Sequence, residues 1–327
     1  MRVRAVRIHA HGGPEALRFE EIDLAPPGPG EALVRHAAIG LNFTDIHHRT
    51  GRYPVPALPA VIGMEAAGTV EAVGAGVTEV AVGGRVTYAS PPPGAYAEAR
   101  VLPADRLVPL PADIDATLAA ATTLKGLTAQ YLVRGAYTVR AGATVLVHAA
   151  AGGVGLMLCQ WAKHLGAAAV IGTIGTDAKA DLARAHGCDH PIVYTGDDFV
   201  ARTRALTGGA GVDVVYDSVG RDTFAGSLDC LRRRGTLVSF GTASGPVPPF
   251  DVFQLNLKGS LHLTSPSLYA YIHDRAELLE RAADLFAVLR SGAVRVEIVH
   301  TYALADAAAA HRDLQARRTA GPSILLP

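Results

Sequence analysis

The chain has 327 residues, 49% of them apolar, and its 30 Lys and Arg balance 30 Asp and Glu to a formal net charge of zero. That length buries most of an extended chain's surface and suits two domains, while the neutral balance gives no reason to expect nucleic acid or an anionic membrane as a partner. Three scattered cysteines, Cys159, Cys188 and Cys230, exclude a disulfide framework and point to a reducing compartment, the cytoplasm.

The N-terminal "MRVRAVRIHAHGG" carries charges where a signal peptide needs an apolar stretch, and no later run reaches the roughly 18 apolar residues of a membrane span. Up to about residue 110, short apolar runs alternate with Gly and Pro ("EALVRHAAIGLN", "AAGTVEAVGAGV", "GGRVTYAS", "RLVPLPA"), which predicts a small barrel-like antiparallel unit. "RYPVPALPAVIG" is expected to be a loop. From about residue 115 the texture becomes Ala-rich with helical spacing, interrupted by six brief apolar runs: 144–148, 168–173, 191–194, 213–217, 236–241 and 260–264. Six strands joined by helical or loop crossovers predict an α/β fold with a doubly wound parallel six-stranded sheet. The tail holds two helical stretches and "SILLP"; having no place in that sheet, it is expected to pack back on the N-terminal unit.

After the strand "TVLVH" comes "AAAGGVG", residues 149–155, opening a helix. The spacing Ala149, Gly152, Gly155, with Gly153 also small, suits a dinucleotide turn, where the backbone must approach a pyrophosphate held at a helix N-terminus. An NAD enzyme places an acid about 20 residues further on for the ribose 2′-hydroxyl. Here that position is Gly175, which leaves room for a 2′-phosphate, and Lys179 offers a compensating charge; both favour NADPH. Asp177 follows Thr176, a candidate N-cap, so it is expected in a first helical turn where the macrodipole favours an acid.

No cysteine precedes Cys159, and no four closely spaced cysteines exist for a structural zinc. "HGCDH", with His186, Cys188 and His190, is the one compact His/Cys group, and it lies across a helix end and a strand start; adjacent His47 and His48 diverge. No metal is therefore expected, and no nucleophile elbow surrounds "SVG" at 218–220.

Taken together, "HGGPEAL" (11–17), "GLNFTDIHHRTGRYP" (40–54), "GMEAAGTVEAVGAGV" (63–77), "LKGLTAQYL" (124–132), "VHAAAGGVG" (147–155), "GTIGTDAK" (172–179), "VVYDSVG" (214–220), "LRRRGTLVSFG" (231–241) and "KGSLHLTSPSL" (258–268) resemble one family. It is the zinc-free, zeta-crystallin-like quinone oxidoreductases of the medium-chain dehydrogenase/reductase superfamily. The resemblance covers the chain and implies a GroES-like β-rich catalytic domain (1–125), a Rossmann NADPH-binding domain (126–265), a return segment packing on the first (266–327), and a homodimer. It places Gly152, Gly153, Val154, Gly175, Lys179, Tyr194, Ser218, Phe240, Gly241, Ser265 and Arg317 at cofactor-contacting positions, and Asn42, Tyr53 and Thr128 around the nicotinamide and quinone pocket. Two departures stand out: His47 replaces a tyrosine, and Ser265 stands where an arginine is common.

Quinone reduction needs a hydride delivered to a conjugated acceptor, which the cofactor supplies while the protein orients and excludes water. Asn42 and Tyr53 are expected to position the acceptor, and His47 is either a proton donor or a partly exposed loop histidine. The same hydride geometry serves an enal, enone or enoyl thioester, and a third alternative is a dinucleotide- or RNA-binding protein without turnover. The absence of basic-aromatic clusters weighs against RNA.

Overall fold

A computed structural model describes all 327 residues, in two compact units: Met1–Leu127 with Ile272–Arg290 and Val296–Pro327, and Thr128–Tyr271 with Ser291–Arg295. In chain order the first stretch forms β1 (Arg2–Ile8), β2 (Leu17–Asp23), β3 (Glu31–Leu41), α1 (Phe43–Arg49), β4 (Ala60–Val61), β5 (Glu65–Val73), β6 (Arg85–Ala89), β7 (Ala99–Pro103), β8 (Val108–Pro109) and α2 (Ala116–Tyr131). The middle forms β9 (Thr144–Val147), α3 (Gly153–His164), β10 (Ala169–Ile174), α4 (Ala180–Ala185), β11 (His190–Val193), α5 (Phe199–Leu206), β12 (Val212–Asp217), α6 (Phe224–Cys230), β13 (Leu231–Ser239), α7 (Phe253–Leu257), β14 (His262–Thr264) and α8 (Leu268–Tyr271). The return adds α9 (Arg275–Arg290), β15 (His300–Ala303), α10 (Ala307–Gln315) and β16 (Ser323–Leu326).

In the first unit β3 is the organising strand. It pairs with β5 along one edge and with β7 and then β16 along the other, and its side chains are almost continuously buried, in keeping with a mostly apolar rather than alternating sequence. The sheet order is β15-β16-β3-β5-β6-β8, beside a smaller sheet β2-β1-β4. Val6, Ile8, Ile39, Leu41, Tyr88 and Tyr96 share one core with Leu304, Ala307, Ala310 and Leu325 of the C-terminal stretch. "RYPVPALPAVIG" is not wholly a loop: Ala60 and Val61 pair with Ile8 and Arg7 as β4.

The second unit is a six-stranded parallel sheet of order β11-β10-β9-β12-β13-β14, matching the six apolar runs. The chain winds outward from β9 to β11, then returns to the far side of β9 with β12, which makes the C-terminal end of β9 the switch point where such sheets bind ligands. Its core gathers Leu146, Ile171, Ile192, Val215 and Leu237 from neighbouring strands. β13 begins five residues before the apolar run "TLVSFG" because its first turns outward three exposed arginines, of which Arg232 bridges to Asp213 at 2.6 Å. No helix is long and apolar enough to cross a membrane.

Candidate active site

In the first unit, β3 delivers Asn42 to the N-terminus of α1. The backbone of Asn42 is extended (φ −134°), and its N–H donates to Asp45 Oδ2 at 2.8 Å, the reciprocal half of a capping box. The Asn42 side chain is buried, and its Nδ2 donates to Glu65 Oε2 at 2.8 Å. This contact fixes the amide orientation, because a carboxylate only accepts, and it turns the amide oxygen away from Glu65. Glu65 is itself fully buried and also accepts from the Leu124 N–H at 2.5 Å and from Lys125 Nζ at 3.3 Å. Gly40 is required beside it: a Cβ there would stand 2.2 Å from Glu65 Oε2. Glu65 and Lys125 were not foreseen as site residues, although a lone acid in "MEAAGTV" and a lone lysine in "ATTLKGLTA" are the charges that apolar segments retain only with a partner.

α1 is held in place by a buried chain of hydrogen bonds. Arg49, fully buried, donates from Nη1 to His311 Nδ1 (3.1 Å), from Nη2 to Gln315 Oε1 (2.8 Å) and from Nε to the Gly12 carbonyl (3.1 Å). A guanidinium only donates, so His311 carries its proton on Nε2 and gives it to Tyr96 Oη (2.9 Å), which in turn donates to Asp45 Oδ2 (3.0 Å). Burial drives the Asp45 carboxyl up to about 7, against donors from Asn42 and Tyr96 that lower it. Burial also depresses His311, to about 3, with the Arg49 charge adding to the effect.

His47 lies on α1 and is buried, which corrects the expectation of a partly exposed loop histidine. Its ring packs 5.4 Å from Phe43 and 4.8 Å from Tyr53, and burial, aided by the charges of Arg52 and His48, lowers its pKa to about 4. Near neutral pH it is an uncharged imidazole, able to hydrogen-bond but holding no surplus proton. Tyr53 is 39% exposed, and its N–H donates to the His47 carbonyl at 3.1 Å.

In the second unit the dinucleotide turn joins β9 to α3. Gly152 is the N-cap and no side chain caps the helix, so first-turn N–H groups face outward without an intrahelical partner, together with Gly153 and Val154. A Cβ on Gly155 would meet the Ala149 carbonyl at 2.2 Å, so only glycine lets the helix start this close to the turn. Gly175 follows β10, and Tyr194 comes beside it: a Cβ at 175 would find Tyr194 Oη at 3.8 Å as its nearest neighbour. Thr176 precedes a short helical turn, Asp177–Lys179, with Asp177 at its start and Lys179 half-buried at its end. Ser218, Phe240 and Gly241 converge where β12 and β13 end; a Cβ on Gly241 would stand 2.6 Å from the Ser218 carbonyl, and the Phe240 N–H donates to the Asp217 carbonyl at 2.9 Å. This backbone cradle, with glycine rather than an acid at position 175, fits a phosphorylated dinucleotide.

The remaining candidates are more dispersed. Ser265 is exposed just after β14, and Thr128 is buried on the last turns of α2, both in the second unit. Arg317 belongs to the first unit with Asn42, His47 and Tyr53, exposed after α10 with a left-handed backbone (φ 58°).

Comparison with known proteins agrees with this layout. The profile of the alcohol dehydrogenase GroES-like domain matches residues 28–112, and that of the zinc-binding dehydrogenase matches residues 153–284. A quinone oxidoreductase of Pseudomonas aeruginosa is 51% identical over 324 residues, covering 99% of each chain. The chain belongs to the quinone oxidoreductase family of medium-chain dehydrogenases/reductases. Within reach of this family lies a 2-haloacrylate reductase from Burkholderia, 46% identical over 99% of both chains. The crystal structure of Escherichia coli quinone oxidoreductase complexed with NADPH superimposes with a TM-score of 0.97 at 48% identity, covering 99% of this chain and 100% of that one.

For a quinone oxidoreductase matched by a zinc-binding profile, the donor set decides whether zinc fits. No three His, Cys, Asp or Glu side chains gather to hold an ion. Asn42, Met64 and Lys125 occupy the neighbourhood of Glu65, and a lysine ammonium there is a competitor for a metal rather than a ligand. In "HGCDH", His186 Nδ1 is engaged with the Leu182 carbonyl at 2.8 Å, Cys188 is buried, and His190 is exposed on β11.

Proposed function

We propose that this protein is an NADPH-dependent quinone reductase that works without zinc. The observation that carries the proposal is glycine at position 175, where an NAD enzyme carries an acid, with Tyr194 beside it and Lys179 one turn on, in a chain about half identical, end to end, to quinone oxidoreductases. Gly152, Gly153, Val154 and the α3 N-terminus hold the pyrophosphate; Lys179 and Tyr194 line the 2′-phosphate; Ser218, Phe240, Gly241 and Ser265 contact the rest of the cofactor. Bound NADPH supplies the hydride.

Asn42, its amide fixed by Glu65, and Tyr53, with its exposed phenol, hydrogen-bond and orient the acceptor. His47 shapes that pocket as a neutral imidazole whose N–H can donate to a quinone oxygen, with the proton itself drawn from solvent. The hydroquinone anion spreads its charge over an aromatic ring, so the step needs neither a Lewis acid nor a strong general acid. The likeness to 2-haloacrylate reductase supports a second activity on activated C=C bonds, which accept hydride in the same geometry.

β14 is the edge strand of the parallel sheet, with Leu263 exposed on it and Val252, Phe253 and Leu257 exposed on neighbouring α7. That apolar edge suits pairing with a second copy in a homodimer, and light scattering that returns the 34.0 kDa monomer mass overturns this. The three buried free thiols suit the cytoplasm.

The decisive assay is oxidation of NADPH and of NADH with a small naphthoquinone, alongside a panel of enones and a haloacrylate. Rapid NADPH oxidation with the quinone and slow oxidation of NADH is expected. NADH preference refutes the cofactor assignment, and turnover confined to alkenes refutes the quinone.

A further inference from the structure

The first position of the dinucleotide turn, where glycine is the usual residue, is Ala149, and its backbone is left-handed (φ 54°). An L-residue other than glycine occupies that region only when its surroundings hold it there. The Ala149 N–H is directed to Thr173 Oγ1 (3.3 Å) and the Ala150 N–H to the Thr173 carbonyl (2.9 Å), so the end of β10 grips the turn. What orients the Thr173 hydroxyl is His148, the residue before the turn, whose Nδ1 lies 2.9 Å from Thr173 Oγ1. On the other side of the ring, Nε2 lies 2.9 Å from Ser227 Oγ, and Ser227 donates to Asp217 Oδ2 or to the Thr223 carbonyl, each at 2.9 Å. His148, Thr173, Ser227 and Asp217 are all at most 1% exposed.

Counting protons assigns a direction. If Nε2 carries the hydrogen, His148 donates to Ser227, Ser227 donates onward to Asp217, Thr173 donates to Nδ1, and a Thr173 lone pair faces the Ala149 N–H. Every group is then satisfied. With the hydrogen on Nδ1, Thr173 Oγ1 receives two donors and its own hydrogen has no acceptor in the chain of contacts. The ring also spans the switch point: β9 lies between β10, which carries Thr173, and β12, which carries Asp217.

We propose that His148, as the neutral Nε2–H tautomer, is a positioning residue for cofactor binding: through Thr173 it holds Ala149 in the left-handed conformation that shapes the pyrophosphate cradle. The proposal rests on the dinucleotide assignment made above. Burial lowers the His148 pKa, with the Asp217 charge opposing, which keeps the ring neutral. Asp217 itself is fully occupied, accepting also from the N–H groups of Val219 (2.8 Å) and Gly220 (3.0 Å) and from Thr223 Oγ1 (2.8 Å), and so anchors the far end of the chain. The pyrophosphate is common to NADPH and NADH, so the effect must be blind to the 2′-phosphate.

The test is calorimetric titration of the full-length protein with NADPH and with NADH, for wild type, His148→Asn, Thr173→Val, Ala149→Gly and the pair His148→Asn with Ala149→Gly. His148→Asn and Thr173→Val should each weaken both dinucleotides by the same factor, about tenfold. Ala149→Gly, which removes the steric need for support, should restore the His148→Asn variant to within about threefold of wild type, a coupling that a merely structural role does not produce. At saturating NADPH, KM for the quinone should stay within about twofold. Nitrogen NMR of the histidine-labelled wild type should show the neutral Nε2–H tautomer at neutral pH, and this needs no variant to fold. Wild-type affinity in both variants, absence of glycine rescue, or an Nδ1–H tautomer overturns the proposal. A wild type that binds neither dinucleotide overturns the cofactor assignment instead.

Discussion

Gly175→Asp puts back the acid that the rim lacks. The substitution enters without strain: Gly175 is not among the glycines with positive φ, and the new Cβ would meet nothing nearer than Tyr194 Oη at 3.8 Å and Tyr194 Cε1 at 3.9 Å. The cost is therefore electrostatic. A unit negative charge facing a phosphate dianion at roughly 6 Å is repelled by about 1.4 kcal/mol at the dielectric of water and about 5.5 kcal/mol at an effective value near 20. Because residue 175 is half-buried, the intermediate figure of about 2–3 kcal/mol applies, which weakens NADPH about 50-fold. NADH carries a 2′-hydroxyl instead, which can donate to the new carboxylate, so its affinity should hold or rise. Dissociation constants for both dinucleotides, with Tm as a control for folding, supply the readout. A NADPH-to-NADH ratio within about threefold of wild type in a folded variant refutes the assignment of this rim to the 2′-phosphate.

Lys179→Ala should weaken NADPH by about tenfold and leave NADH unchanged, the opposite pattern to His148→Asn, and fluorescence titration separates the two. Lys125→Met leaves the Glu65 carboxylate buried with only the Asn42 and Leu124 donors, so urea unfolding should show a loss of about 3 kcal/mol, with kcat falling as Asn42 loses its fixed anchor. Unchanged stability would mean that Glu65 does not need its cation. For pH, His36 and His47 stand at about 4 and His311 at about 3, all depressed from 6.5. Each contributes stability that is present above 6.5 and lost as pH falls toward the folded value. Asp45, raised from 3.8 to about 7, has the opposite sign and loses stability as pH rises across that window. Burial lowers His48 and His148 as well, so the depressed histidines outweigh the one aspartate, stability should fall by at least roughly 1–3 kcal/mol per unit as pH drops from 6 to 5, and a flat profile in urea titrations refutes the balance.

The parallel sheet was legible because each of its strands is an isolated apolar run bounded by turn residues, and the dinucleotide turn because small residues at fixed spacing follow one of those runs. The missing acid at position 175 could be counted directly, twenty residues on from Gly155. β15 escaped notice because "HTYA" is short and half-exposed, with no apolar run to mark it. The beginning of β13 was hidden because exposed arginines resemble a loop. His47 was misplaced since α1 has only seven residues and its helical signal lies in capping by Asp45, not in periodicity. The Asn42–Glu65–Lys125 cluster and the Ala149–Thr173–His148 chain depend on side chains up to 60 positions apart meeting in the folded chain, and no local pattern encodes such a meeting.

The antiparallel pairing of Ser323, Ile324 and Leu325 with Leu41, Gly40 and Ile39 has a consequence for synthesis. All six strands of the second unit's parallel sheet have been synthesised once Thr264 is made, whereas the strand leading into Asn42 lacks its β16 neighbour until some sixty residues later. The two units therefore mature in the reverse of their order along the chain. A nascent or prematurely terminated product should retain the glycine turn of β9 and α3 while Asn42 stands on a strand without its β16 neighbour; under the proposed roles, such a chain sequesters cofactor without using it.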